Sequence, residues 1–195
     1  MSSPQMRRAE RVMSDQRTLE TLARGYSGRI ATVSEDGFPY CIPLLYLWID
    51  GEVYLHTTSA GGHLRANIER DRRVCFEIDE QEGVFDYGRF ECDSGLAYRS
   101  VCLFGRIRIV EDTEARQRFC EALMAKYGKP ETKRPKGFFP RIDVITVYGR
   151  TSLEWAQRTE SSNISGLRDG QQKDGSNLLY LTTAKACFLS VAIHF

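Results

Sequence analysis

The chain has 195 residues, enough for one domain with a sizeable core and an appendage. With 42% hydrophobic and 27% charged residues it has the composition of a soluble globular protein. A formal net charge of +1 sets up no long-range field, which argues against nucleic acid or an anionic membrane as a main partner.

The first predicted element is a helix in "SDQRTLETLARGYSG", with Ser14 and Asp15 as N-cap residues, Leu19, Leu22 and Ala23 at helical spacing, and a stop at Gly25 or Gly28. Three strands follow, at 28–34, 39–49 and 52–57, joined by turns at Glu35-Asp36-Gly37 and Asp50-Gly51. Pro39 and Pro43 predict that the middle strand is irregular or has an unpaired edge there. A short helix is expected in "GGHLRANIERD", then a strand at 72–79 with Val74, Phe76 and Ile78 on one face. A longer strand at 98–110 places Val101, Leu103, Ile107 and Ile109 on one face and Tyr98, Ser100, Arg106 and Arg108 on the other. "EDTEARQRFCEALMAKYG" carries acids in its first turn, apolar residues at 119, 120, 123, 124 and 127, and a terminal glycine, all marks of a helix. After a loop, "RIDVITVYG" (141–149) reads as the last core strand.

About six strands, few helices and no βαβ rhythm predict a mainly β fold, an antiparallel barrel with peripheral helices over residues 1–155. Residues 156–195 read as a polar linker followed by an apolar C-terminal tail. That tail, "LLYLTTAKACFLSVAIHF", is interrupted by Lys185 and makes a poor membrane span. The opening "MSSPQMRRAERVMSDQ" lacks the apolar core of a secretory signal, so a cytoplasmic location is expected. The six cysteines (41, 75, 92, 102, 120 and 187) form no CxxC pair and are expected to be reduced thiols, several of them in the core.

Three histidines, at 56, 63 and 194, are not accompanied by further ligands at metal spacing, and no metal site is expected. No GxSxG elbow, Walker A or GxGxxG motif is present. Glu91 and Asp93 read as a solvated strand face. The stretch "HTTSAGGHLRANIERD" (56–71) is more informative. A helix starts there without an Asp or Glu before Glu69, whereas first turns usually carry acids; instead it holds Gly61, Gly62, His63 and Arg65. Unpaired N–H groups, two cations and the hydroxyls of Thr57, Thr58 and Ser59 would suit a bound phosphate. The competing reading is a serine N-cap with His63 and Arg65 turned to water.

Taken together, "RIATVSEDGFPYCIPLLYLWIDGEVYLHTT…GHLRANIERDRRVCFEID", "YGRFECDSGLAYRSVCLFGRIRIVED" and "GFFPRIDVITVY" resemble the pyridoxamine 5'-phosphate oxidase-like flavin-binding proteins, and more closely their nitroimidazole-resistance branch. The resemblance covers about residues 8–150. It implies a split β-barrel that forms a homodimer and binds FMN at the subunit interface. By position, Pro43, Leu44 and Leu45 would run beside the isoalloxazine ring, and His56, Thr57, Thr58 and Ser59 would follow the ribityl chain. Gly62, His63, Leu64 and Arg65 would hold the phosphate, and Tyr98, Arg99 and Ser100 would approach the flavin, from either subunit. Gly62-His63 stands where the true oxidases usually bring an Arg-Lys pair, so Arg65 or Arg99 would substitute. The C-terminal basic and aromatic signature expected of pyridoxamine phosphate oxidation is missing. The resemblance therefore implies an FMN-dependent oxidoreductase that uses NAD(P)H or another reductant on a small electron acceptor, a nitroaromatic or a quinone. His56 and Tyr98 are the candidates for proton delivery or substrate contact. The alternative is a non-catalytic sensor or carrier binding flavin or haem.

Overall fold

Local chemistry sets the first elements of the structure, a computed structural model that describes residues 8–128, 133 and 135–161. Helix α1 (Asp15–Arg24) starts where the Ser14 hydroxyl accepts from the Arg17 amide, and ends at Gly25, as expected. Strands β1 (Ser27–Val33), β2 (Pro39–Ile49) and β3 (Glu52–Thr58) match the three expected ones to within a residue. Asp36 shapes the first turn by accepting from the Ser34 hydroxyl at 2.7 Å and the Phe38 amide at 3.1 Å, and these bonds hold its carboxyl below the usual range. The second turn needs two left-handed residues, and Asp50 and Gly51 supply them with φ of 52° and 78°.

Helix α2 (His63–Arg70), strand β4 (Arg73–Asp86), strand β5 (Ser94–Ile109), helix α3 (Thr113–Tyr127) and strand β6 (Ile145–Ser161) complete the described chain. The strands pair in the order β1-β2-β3-β6-β5-β4 as a closed barrel, and β1–β2, β2–β3 and β3–β6 are antiparallel. The fold is thus the mainly β, split-barrel class expected. The described residues group into two compact units: one is drawn from residues 8–25, 77–103 and 154–161, the other from residues 26–76, 104–128, 133 and 135–153.

Three local expectations need correction. Glu91 and Asp93 are not on a strand: they belong to the β4–β5 connection, where the Asp93 carboxylate caps the turn by accepting from the Arg89 and Phe90 amides. Residues 142–144 form a 3-10 turn rather than the start of the last strand. That strand continues through Ser161, into the stretch read as linker; the tail beyond it lies outside the described residues.

The prolines of β2 are explained by its pairing. The strand is continuous, with Pro39 and Pro43 opposite Val33 and Arg29 of β1, while pairing with β3 runs over Tyr46–Ile49. Pro43 therefore stands on a stretch whose second edge is not engaged by β3, where its missing N–H costs no ladder bond. Tyr127 secures the crossing from one partner strand to the next. Its phenol oxygen lies 2.6 Å from the Tyr46 carbonyl and 2.8 Å from that of Tyr26, and accepts from the Tyr46 amide at 3.4 Å. Tyr127→Phe removes these bonds while Lys126 Nζ still reaches the Tyr46 carbonyl at 3.4 Å, and should lower unfolding free energy by about 0.5–1.5 kcal/mol, read as a lower urea midpoint at unchanged slope.

Helix α3 is capped by the Asp112 carboxylate on the Ala115 amide and inserts Phe119 and Cys120 into a cluster with Leu47, Val110 and Val147. Of the six cysteines, Cys102 and Cys120 are buried, Cys41 and Cys92 exposed and Cys75 intermediate; these five are free thiols, and Cys187 lies outside the described residues. Among the described residues no helix is long and apolar enough to cross a membrane.

Candidate functional site

The end of β3 and the start of β6 are locked side by side, with Thr57 opposite Thr146 and Leu55 opposite Tyr148. Because strand side chains alternate, Leu55, Thr57, Thr146 and Tyr148 share one face, and His56 and Val147 share the other. Tyr148 is fully buried, with its hydroxyl 3.3 Å from Thr57 Oγ1. The Thr57 hydroxyl in turn donates to the Thr58 carbonyl at 3.2 Å. The Ser59 amide closes the ladder on the Val144 carbonyl at 2.9 Å.

The chain then turns into α2 through Gly61 and Gly62, at φ of 82° and 150°, conformations that side-chain-bearing residues rarely adopt. A Cβ built on either would meet no atom within 4 Å, so space lies open beside this backbone. Gly62 is the N-cap and brings no side chain to the free amides of the first turn, which also contains no acid. The serine-cap reading is thereby overturned: the N-cap position is Gly62, three residues past Ser59, and no side chain caps the first turn. Buried Leu64 and Ile68 dock α2, Asn67 Nδ2 donates to Thr32 Oγ1 at 3.0 Å, and Arg70 donates to the carbonyls of Val33 and Ser34.

Arg65, in the first turn, spans the gap between α2 and β6. Its Nη1 lies 3.4 Å from Thr146 Oγ1 and its Nε donates to Glu69 Oε1 at 2.8 Å. The carboxylate of Glu69 raises the guanidinium pKa further above its already high ordinary value. His63 is exposed, with its ring 5.6 Å from that of Tyr40 on β2. The result is a cradle of donors: first-turn amides, the hydroxyls of Thr57, Thr146 and Tyr148, and the Arg65 fork. Such a set fits a phosphate dianion and offers little to a cation.

The other expected site residues distribute as follows. His56 is turned away from the cradle, onto the opposite face of β3, where its ring packs 5.5 Å from Phe119 of α3. Its Nδ1 is buried without a hydrogen-bond partner, and burial lowers its pKa below the ordinary imidazole value. Pro43, Leu44 and Leu45 lie on β2 opposite Arg29, Gly28 and Ser27, with Pro43 exposed and the two leucines half-buried. Thr58 and Ser59 are exposed at the mouth of the turn. Tyr98, Arg99 and Ser100 sit on β5 in the other compact unit. There Arg99 is engaged by carboxylates, 2.5 Å from Glu82 and 3.6 Å from Glu80, and Glu80 also receives Arg24 at 2.6 Å.

Tyr40, Thr146 and Tyr148 were not picked out from the sequence. The alternation in "ITVYG" puts Thr146 and Tyr148 on one face, but only the long-range pairing of β6 with β3 brings that face to Thr57.

Residues 14–151, well over half of the chain, match the family model described as pyridoxamine 5'-phosphate oxidase. No curated protein sequence matches the chain. Among solved structures it is similar to the flavocytochrome Anf3 from Azotobacter vinelandii, at 20% identity over 82% of this chain and 73% of that one, with a TM-score of 0.68. It is similar too to a candidate 5-nitroimidazole antibiotic resistance protein from Bacteroides thetaiotaomicron, at 18% identity over 75% and 84% of the two chains, TM-score 0.60. A third is the FAD and heme binding protein from Mycobacterium smegmatis, at 18% identity over 83% and 75%, TM-score 0.65. At these identities the likeness is one of fold.

Proposed function

This chain belongs to the pyridoxamine 5'-phosphate oxidase family, and from that premise we propose that it is an FMN-dependent oxidoreductase whose cofactor phosphate rests in the β3–α2 cradle. The observation that carries this reading is an acid-free, glycine-capped helix start that carries Arg65, whose fork reaches Thr146 opposite the Thr57 of the Thr57–Tyr148 hydroxyl pair. FMN, when bound, supplies hydride or single-electron transfer at its isoalloxazine ring.

The protein's own residues do the rest. Thr146 and Arg65 would donate to the phosphate oxygens, Thr57 would do so once its one hydroxyl proton turns from the Thr58 carbonyl, and the first-turn amides of α2 would add the positive end of the helix dipole. Tyr148, buried beneath Thr57, fixes that hydroxyl in place. Gly61 and Gly62 let the phosphate approach the backbone closely. Pro43, Leu44 and Leu45 supply an apolar strand beside the ring, where they exclude water. No side chain is required as acid or base in hydride transfer to a nitroaromatic or quinone. His56, on the other face of β3 against Phe119, takes no part in this reading. Within this reading the enzyme is a cytoplasmic homodimer that takes its electrons from NAD(P)H and does not oxidise pyridoxamine phosphate.

Anaerobic titration of the FMN-loaded protein with NAD(P)H separates enzyme from carrier. Bleaching of the flavin bands, reversed by a nitroaromatic or a quinone, is the expected result. Flavin bands that no such donor bleaches would leave a flavin carrier, and a Soret band in place of flavin would identify a haem protein.

A further inference from the structure

The guanidinium of Arg65 is held at two of its nitrogens. Nε donates to Glu69 one helical turn onward, while Nη1 reaches Thr146 on the floor of the cradle. A free arginine samples many rotamers, but contacts at two different nitrogens fix the plane of the fork. Glu69 thus holds Arg65 at Nε while Nη1 stays at Thr146 of the cradle.

We propose that Glu69 is a positioning residue for phosphate-ester recognition. It aims Arg65 and thereby sets the preference of the site for a phosphorylated over an unphosphorylated flavin. This rests on the FMN reading of the cradle. Two effects of a carboxylate at this place oppose each other: its charge repels the phosphate, and its hydrogen bond orders the arginine. The Glu69 side chain is 52% exposed, so water and salt screen the repulsion. The ordering is local, survives screening and removes entropy that Arg65 would otherwise lose on binding. Ordering therefore wins.

The test compares affinities of the apoprotein for FMN and riboflavin in the wild type, Glu69→Ala and Glu69→Gln. Glutamine removes the charge and keeps an oxygen that accepts from Nε; alanine removes both. Glu69→Ala should weaken FMN binding about tenfold, while Glu69→Gln stays within about threefold of wild type. Riboflavin affinity should be unchanged in both, and so should the thermal midpoint of the ligand-free protein. In an Arg65→Met background, Glu69→Ala should have no further effect on FMN, because no donor is left at position 65 for Glu69 to aim. Tighter or unchanged FMN binding in Glu69→Ala would overturn the proposal, as would an equal loss for riboflavin. The two readings fail differently. A wild type that binds both flavins equally defeats the phosphate cradle and this role with it. A wild-type preference for FMN that survives in Glu69→Ala defeats only the role of Glu69.

Discussion

Arg65→Glu should reduce FMN affinity by at least about a hundredfold, so that the protein purifies without flavin. Three losses combine. The fork that reaches Thr146 disappears, a carboxylate takes its place opposite the phosphate, and Glu69 is released without its partner. The ligand-free fold should tolerate the change. An acid in the first turn of α2 matches the helix dipole, and its repulsion from Glu69 four residues on is a small opposing effect. Arg65 is not among the buried apolar residues that form the core. Equilibrium titration with FMN, alongside urea unfolding of the apoprotein, separates the two outcomes. Lost affinity at undiminished stability is the expected pair. FMN affinity equal to that of wild type would remove Arg65 from the cradle.

The largest effect on stability is expected from Phe119→Ala. Phe119 is 2% exposed and belongs to the cluster of Leu47, Val110, Cys120 and Val147 that fixes α3 to the sheet. Truncation of a buried phenylalanine to alanine costs about 3–5 kcal/mol, part of it transfer and part the cavity left behind. A second readout follows from the ring contact with His56. Burial alone depresses the His56 pKa, and its Nδ1 has no partner to stabilise charge. Opening the site admits water, so the imidazole pKa should rise toward its ordinary value, measurable by proton NMR titration. A His depressed in the folded state binds protons more readily when unfolded. Stability is therefore full above the ordinary imidazole range and falls as pH drops through it, and this slope should be shallower in the variant. FMN affinity of the folded fraction should be unaffected, because Phe119 and the cradle lie on opposite faces of β3.

The contrast between those two variants shows what the sequence could and could not tell. Caps and turns are local chemistry: Ser14, Gly128 and Asp50-Gly51 mark the start of α1, the end of α3 and the β2–β3 turn within a residue or so. The anion cradle was half legible: the missing acids, the glycines and Arg65 all lie within ten residues of one another. Its other half arrives from β6, and no local signal says that Thr146 will face Thr57. The resemblance groups His56 with Thr57, Thr58 and Ser59 by position, although a strand's period of two sends neighbours to opposite faces. Pro43 signalled correctly that one edge of β2 is free, but only the register shows where β2 leaves β1 and joins β3. The serine cap failed because the helix begins later than that reading requires: Gly61 and Gly62, both at positive φ, carry the turn, and the N-cap falls on Gly62.

The central claim is that this cradle holds the phosphate of FMN, and the identity of the bound cofactor tests it most directly. Protein purified without added flavin, or reconstituted from a flavin mixture, is denatured and the released chromophore separated by chromatography. The account predicts FMN, close to one per chain, and its absence from Arg65→Glu. Release of FAD or haem, or a wild-type chain that takes up no flavin, would contradict it.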